Sequence, residues 1–87
     1  MIPSATVRGS VTVRFFAGAA EAAGEDQTLA EAGTVADLRA ALADRYGAEL
    51  ERVLTQCSMM SGGGRLEEGA VIEPGATVDV LPPFAGG

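Results

Sequence analysis

Apolar residues recur at every second position near both ends of the chain. Near the amino end, Val11, Val13 and Phe15 alternate with the residues between them, and the segment from Thr77 to Leu81 alternates in the same way near the carboxyl end. A period of two is typical of a strand with one covered face. Both segments are therefore predicted to be strands whose apolar side faces a core.

The clearest helical pattern lies in the middle of the chain. Thr34 is a candidate N-cap, and Asp37 places a carboxylate in the first turn, where it stabilises the helix dipole. Gly47 is a candidate stop signal at the other end. The apolar residues between them follow helical spacing: Val35, Leu38, Ala41 and Leu42. This stripe is predicted to lie across the sheet.

Shorter elements are predicted between these three. The small residues of 17–26 indicate a loop with one helical turn, and Gln27 to Glu31 is predicted to form a hairpin with the first strand. The remaining predicted elements are a helix over Ala48 to Leu54, a strand over Gln56 to Ser61, a short apolar segment from Ala70 to Ile72, and a turn at Pro74-Gly75.

This order of elements favours one compact α+β arrangement. Because the first and last strands are the most apolar, pairing them in parallel under the main helix is economical. The prediction is a ubiquitin-like β-grasp fold, with a mixed sheet of four to five strands packed on one main helix. Residues 1–87 are expected to form one domain, with 1–9 as a flexible extension and 82–87 as a projecting tail.

Composition narrows the range of partners. The net charge is −6, and all six positive charges are arginines because the chain has no lysine. Nucleic acid and anionic membranes are therefore excluded as expected partners, and a basic protein surface is favoured. The single Cys57 suits a reducing compartment, and no apolar run is long enough for a signal or a membrane span. A cytoplasmic location is expected.

Side chains that perform catalysis are scarce. The absence of histidine excludes an imidazole base and histidine metal ligands, so no metal site and no bound cofactor are expected. Cys57 has apolar neighbours and no cation nearby in the sequence, which indicates an inert thiol on a strand. The triple glycine at 62–64 lacks the lysine of a phosphate-binding loop and is predicted to be a turn.

The carboxyl end, PPFAGG, has a different character. Gly86 and Gly87 have no β-carbon, so this segment can thread a narrow channel. Pro82 and Pro83 end the last strand and direct the tail away from the domain. At roughly 3.3 Å per residue, the six residues reach about 20 Å. The tail is thus predicted to enter the active site of a partner, which supplies the nucleotide that activates the terminal carboxyl.

A docking surface is predicted beside this tail. Phe84 is a candidate anchor, because aromatic residues are common at interface hot spots. Phe16 falls on the outer face of the first strand beside Arg14, and Leu81 lies on the last strand. These apolar residues are predicted to form one patch, unless loops of the chain itself cover Phe16 and Leu81.

Three segments together resemble a known family: VTVRFFAGAAEAAG, TVADLRAAL and PGATVDVLPPFAGG. They are similar to the β-grasp sulfur-carrier proteins, and most closely to the small subunit of molybdopterin synthase. The resemblance covers nearly the whole chain from Val11 onward, and the specific part is the PP-aromatic-x-GG ending. The chain departs from the family in its nine residues before the first strand and in its glycine-rich 62–69 segment.

The resemblance implies a function without an active site of the chain's own. Gly87 would be adenylated by a ubiquitin-activating-like adenylyltransferase that uses ATP, and then converted to a thiocarboxylate. The carrier would insert its tail into the large synthase subunit, in a heterotetramer, and donate sulfur to a pyranopterin precursor. Gly86 would be the second residue of the tail in the channel, and Pro83, Phe84 and Ala85 of the tail would bind the partner together with Phe16 and Leu81.

Three alternatives share parts of this pattern. A sister sulfur carrier for thiazole or cysteine synthesis uses the same terminus but tends to lack the Pro-Pro-Phe element. A ubiquitin-like modifier would join Gly87 to a lysine of a target protein. A plain interaction module would have an inert tail.

Overall fold

The computed structural model describes residues 9–83. Seven strands and three helices lie in this range, in chain order: β1 (Ser10–Phe15), α1 (Gly18–Ala23), β2 (Gln27–Glu31), β3 (Gly33–Thr34), α2 (Val35–Tyr46), α3 (Ala48–Leu54), β4 (Ser58–Ser61), β5 (Gly64–Arg65), β6 (Val71–Ile72) and β7 (Thr77–Leu81). The predicted tail from Phe84 and the predicted extension up to residue 8 lie outside the described residues.

Five strands form one mixed sheet in the order β2-β1-β7-β4-β5, and β3 pairs with β6 in a separate two-stranded sheet. β1 runs parallel to β7, with Val13 opposite Val78 and Phe15 opposite Val80. The other neighbours of this central pair, β2 and β4, are antiparallel to it. The predicted mixed sheet and its parallel first-to-last pairing are confirmed.

The inward face of the two central strands forms the floor of the core. Val13, Val78 and Val80 have no measurable exposure, and Val11 and Phe15 are almost as well covered. Leucines from α2 and α3 pack against this face, together with Met59 and Ile72: Leu38, Leu42, Leu50 and Leu54. The alternation of the strands and the helical stripe thus meet in one aliphatic core, as the β-grasp prediction requires.

Helix α2 begins where the sequence predicts. The Thr34 side chain accepts a hydrogen bond from the Asp37 backbone N–H at 3.0 Å, and the Asp37 carboxylate accepts one from the Thr34 N–H at 3.2 Å. This reciprocal capping box satisfies two donors that the first turn cannot use. The helix ends at Gly47, whose positive φ of 95° favours glycine.

Three local predictions are corrected by the structure. Ala41 is exposed, so the buried stripe of α2 consists of Val35, Leu38 and Leu42. The predicted loop 17–26 contains a six-residue helix, α1, because Ala19 is small enough to be fully buried against the sheet. The fourth strand starts at Ser58, since the backbone amides of Gln56 and Cys57 still bond to carbonyls of α3.

The ends of the described range are tied to the fold. The Gly9 carbonyl accepts a hydrogen bond from Ala32 N–H at 3.3 Å, so this last residue of the predicted extension already contacts the domain. At the other end Pro82 is half-buried and Pro83 is exposed. Within residues 9–83, no helix is long and apolar enough to cross a membrane.

Truncating Leu38 to alanine is expected to lower the free energy of unfolding by about 2 to 5 kcal/mol, because a fully packed side chain leaves a cavity. Leu29→Ala is the matched control: Leu29 is 60% exposed, and its loss should change stability by less than about 0.5 kcal/mol. Urea denaturation followed by circular dichroism measures both. Equal effects in the two variants would contradict the assigned core.

Candidate functional site

The outer face of the five-stranded sheet carries no helix in the described part of the chain, because all three helices contribute to the core on the other side. The register places side chains of neighbouring strands side by side on this surface, which we call the open face. Its members are Thr12, Arg14, Phe16, Leu29, Met60, Asp79 and Leu81. An uncovered sheet face of mixed apolar and charged character is a surface suited to a protein partner.

Phe16 and Leu81 lie together at one end of the open face. Phe15 pairs with Val80, so Phe16, which directly follows β1, and Leu81, which ends β7, lie at the same end of this strand pair. Both are half-buried, which agrees with the predicted apolar patch and also shows partial cover by the chain itself. The Phe16 ring lies 5.3 Å from the guanidinium carbon of Arg14, a cation–π distance that holds both side chains on this face.

The tail leaves from the same end of the sheet. β7 is the middle strand of the five, and Pro82 and Pro83 follow it directly. The two prolines line a cleft of about 270 Å³ together with Gly18 of α1, Val53 of α3, and Gln56, which follows α3. The tail therefore starts between the open face and the helical layer, with Leu81 as its last neighbour in the sheet.

The terminal residues themselves cannot be placed on this surface. Phe84, Ala85, Gly86 and Gly87, which the sequence predicts as anchor, channel and reactive residues, lie outside the described residues. Of the predicted site, the structure brings together Phe16, Leu81 and the start of the tail.

The sequence alone did not single out the polar pair at the centre of the open face. Arg14 Nε lies 3.1 Å from Asp79 Oδ1, and the two residues are register partners across the parallel pair. Arg14 was predicted to point outward, but the identity of its partner depends on the register between two strands 65 positions apart in the chain (79 − 14 = 65). The predicted parallel pairing, with its register, is the signal that would have found it.

Two clefts open on either side of this pair. One, of about 400 Å³, lies between Arg14 and Phe16 on one side and Ala20 and Gln27 on the other. The second, of about 340 Å³, runs from Arg14 and Asp79 to Met60 and the turn at Gly62-Gly63. These volumes are near the lower end of the range for ligand sites, and both clefts are open to solvent. The clefts are therefore suited to receive side chains of a docking protein.

Cys57 has the environment of a structural thiol. Its Sγ donates a hydrogen bond to the Val53 carbonyl at 3.2 Å, and the side chain is half-buried beside the core. Burial raises the pKa of the Cys57 thiol, and the Arg39 guanidinium opposes this shift only in part. Arg39 is thus a cation that acts on the Cys57 thiol although the two residues are far apart in the sequence. The predicted placement on a strand is wrong, since Cys57 precedes β4.

A metal site is not found in the part of the chain that the structure describes, where no three potential ligands cluster. The described carboxylates instead form surface contacts, such as the Arg39–Glu68 pair at 3.3 Å and the Arg52–Glu49 pair at 2.7 Å.

The raised pKa of Cys57 predicts slow labelling by thiol reagents in the folded protein. Because the thiolate is the reactive form, labelling at neutral pH should be much slower than in denaturant and should accelerate as the pH rises past the ordinary thiol value of 9.0. The rate of reaction with an aromatic disulfide, followed by absorbance, measures this. Fast stoichiometric labelling of the native protein at neutral pH would contradict the assignment.

Several solved structures share this fold. The crystal structure of SAMP1 from Haloferax volcanii matches with a TM-score of 0.77 and 26% identity, over 91% of this chain and 100% of that chain. The complex of subunits 1 and 2 of molybdopterin-converting factor from Helicobacter pylori matches with a TM-score of 0.68 and 25% identity, over 90% of this chain and 99% of that chain. A putative molybdopterin converting factor subunit 1 from Pyrococcus furiosus matches with a TM-score of 0.73, and its 21% identity, over 87% and 99% of the two chains, supports the fold alone.

Sequence comparison covers the same region. No curated protein sequence matches the chain. The family model of ThiS matches residues 13–87, a range that includes the second half of β1, the central helix and the terminal glycines. The protein therefore belongs to the ThiS family of ubiquitin-like sulfur carriers.

Proposed function

We propose that this protein is the sulfur-donating small subunit of a molybdopterin synthase. The observation that carries this pathway is the 25% identity, over 90% of the chain, to the Helicobacter pylori complex of the two molybdopterin-converting factor subunits. The Pro-Pro-Phe element before the terminal glycines supports the same choice over sister carriers for thiazole or cysteine synthesis.

The proposed chemistry takes place at the carboxyl group of Gly87. In a partner adenylyltransferase, this carboxylate attacks the α-phosphorus of ATP and releases pyrophosphate, which gives an acyl-adenylate. A sulfur donor at the oxidation level of sulfide then attacks the acyl carbon and displaces AMP. The terminus becomes a thiocarboxylate, and neither the carbon nor the sulfur changes its oxidation state. ATP thus acts in the partner, and the chain itself binds no cofactor.

Sulfur transfer then occurs in a second partner, the large synthase subunit. The thiocarboxylate sulfur attacks an electrophilic carbon of the pyranopterin precursor and displaces an oxygen leaving group from it, and water then cleaves the resulting acyl–sulfur bond. This step leaves sulfur on the product and restores the Gly87 carboxylate for another cycle. Gly86 and Ala85 are slim enough to enter a channel, so the reactive end can be delivered while the domain stays outside.

The geometry of the described residues supports such delivery. The tail starts from the central strand at the edge of the Phe16–Leu81 patch, so a partner that covers this patch also receives the tail. The proposed anchor Phe84 follows Pro83 by one residue and would extend the same contact. Two successive partners can use one surface, because the carrier must leave the first enzyme before it serves the second. The proposed final assembly is a heterotetramer of two carriers and two large subunits.

A second candidate function is protein modification. It is favoured by the 26% identity to SAMP1 of Haloferax volcanii, over 91% of this chain. In that case an activated Gly87 would acylate a lysine of a target protein. Because this chain has no lysine, copies of it could not be linked to one another through side-chain amines.

Intact mass spectrometry of the protein from its own host tests the carrier function. We expect a species in which one oxygen is replaced by sulfur, and we expect it to disappear when Gly87 is deleted, because the acyl group is then displaced from the site of activation. Deletion of Met1 is a control that leaves the carboxyl end intact. Covalent adducts with other proteins, without the sulfur species, would instead support the modifier function.

The docking patch gives an independent prediction. Phe16→Ala should weaken binding to the large synthase subunit by about 10-fold or more, since truncation of an aromatic anchor costs upwards of about 1 to 2 kcal/mol. Isothermal titration calorimetry of the full chain measures this affinity. Val71→Ala is the control, because Val71 is 68% exposed but lies in the small sheet away from the open face. An equal loss in both variants would argue against the patch.

A further inference from the structure

Asp79 is a charged residue at the centre of the surface that the proposed partners would cover. It lies on β7, the middle strand, with Arg14 beside it on one neighbouring strand and Met60 on the other. Its side chain faces outward, because Val78 and Val80 on either side have no exposure. A partner that seats on the open face must therefore accommodate this carboxylate.

The carboxylate is not fully hydrogen-bonded by the domain. Arg14 Nε approaches Asp79 Oδ1 to 3.1 Å, yet this buried oxygen accepts no hydrogen bond of good geometry from the described residues. The contact brings opposite charges together, but the N–H does not point at the oxygen. The contact between the two charges costs little as long as water hydrates the rest of the carboxylate, and the Asp79 side chain is 34% exposed.

Arg14 makes a second contact on the open face, with Phe16. Its guanidinium carbon lies 5.3 Å from the Phe16 ring centroid, while its Nε faces Asp79. The guanidinium thus lies between the aromatic patch and the carboxylate.

Covering this pair changes its energetics. When a partner excludes water, a charged group with incomplete hydrogen bonds becomes costly, and a purely apolar partner surface offers no compensation. A partner that brings a donor removes this cost and adds a charge-assisted hydrogen bond. Asp79 would therefore discriminate between partners and not only bind them.

The shape and charge of the surface indicate what that donor is. Asp79 lines the cleft of about 340 Å³ that continues past Met60 to Gly62 and Gly63, where no side chains close the mouth. This space suits one long side chain. The net charge of −6 favours a basic partner surface, and a cationic N–H can donate a charge-assisted hydrogen bond to the Asp79 oxygen that stays exposed, since Oδ1 is buried.

We propose that Asp79 is a specificity-determining contact, which accepts a hydrogen bond from a cationic side chain that the docked protein partner inserts into this cleft. The proposal rests on the proposed function, because it takes the large synthase subunit as the partner that covers the open face. Arg14 positions the Asp79 carboxylate beside the cleft, while Phe16 provides the apolar contact next to it.

Exchanging the two charges tests the proposal. The double variant Arg14→Asp, Asp79→Arg keeps an ion pair within the chain and leaves the net charge unchanged, but it places a guanidinium at the position on β7 where the proposed cation docks. Affinity for the large synthase subunit of the same organism, measured by calorimetry with the full chain, is expected to fall about 30-fold or more. An unchanged affinity in the exchanged variant, folded by circular dichroism, would overturn the proposal.

If the exchanged variant does not fold, a nearly isosteric substitution tests the proposal instead. Asp79→Asn removes the charge and should weaken binding about 10-fold, whereas native affinity in this variant would overturn the proposal. The matched control is Asp44→Asn, which makes the same chemical change at an exposed position of α2 and should bind as the unaltered chain does.

Measurements on the unaltered chain distinguish a failure of the Asp79 contact from a failure of the proposed function. Native affinity in the Asp79 variants, with normal binding and thiocarboxylate formation in the unaltered chain, would overturn only the role of Asp79. Failure of the unaltered chain to bind the large subunit would overturn the proposed function and this contact together.

Discussion

The parallel pairing of β1 with β7 is the constraint on which the rest of the molecule depends. It joins residues from opposite ends of the chain and places their valines on the floor of the core. Parallel neighbours require a crossover, and the helices that supply it cover one face of the sheet and leave the other open. The same pairing makes the last strand a central one. The domain can therefore present its terminus beside a continuous sheet surface and not at a frayed edge.

Reactivity and partner recognition are assigned to different parts of the chain. Within residues 9–83 the core is mainly aliphatic, and the Cys57 thiol is half-buried with a pKa that burial raises. In the proposed function, reactivity belongs to the carboxyl terminus and selectivity belongs to the open face. This separation allows partners of different chemistry to share one carrier, because each must recognise the same surface but supplies its own active site.

Most of the fold could be predicted because local signals agreed with the global arrangement. Thr34 and Asp37 define the start of α2, and the alternation in β1 and β7 identifies their buried sides. The errors have a different origin. Ala41 fits the helical stripe but is exposed in the folded domain, and the short helix α1 depends on space for Ala19 that only the packed core defines. In the candidate site, Phe16 and Leu81 followed from strand period, whereas the Arg14–Asp79 contact required the register between distant strands.

The position of β7 also has a mechanical consequence. When a partner grips the tail and the body is pulled away, force enters β7 along its own axis, and this strand is bonded on both sides, to β1 and to β4. Force of that kind shears several backbone hydrogen bonds at once and does not peel them one after another. In the proposed cycle, withdrawal of the tail from a narrow channel would therefore apply force to β7 without unfolding the domain. The domain would stay folded through repeated withdrawals.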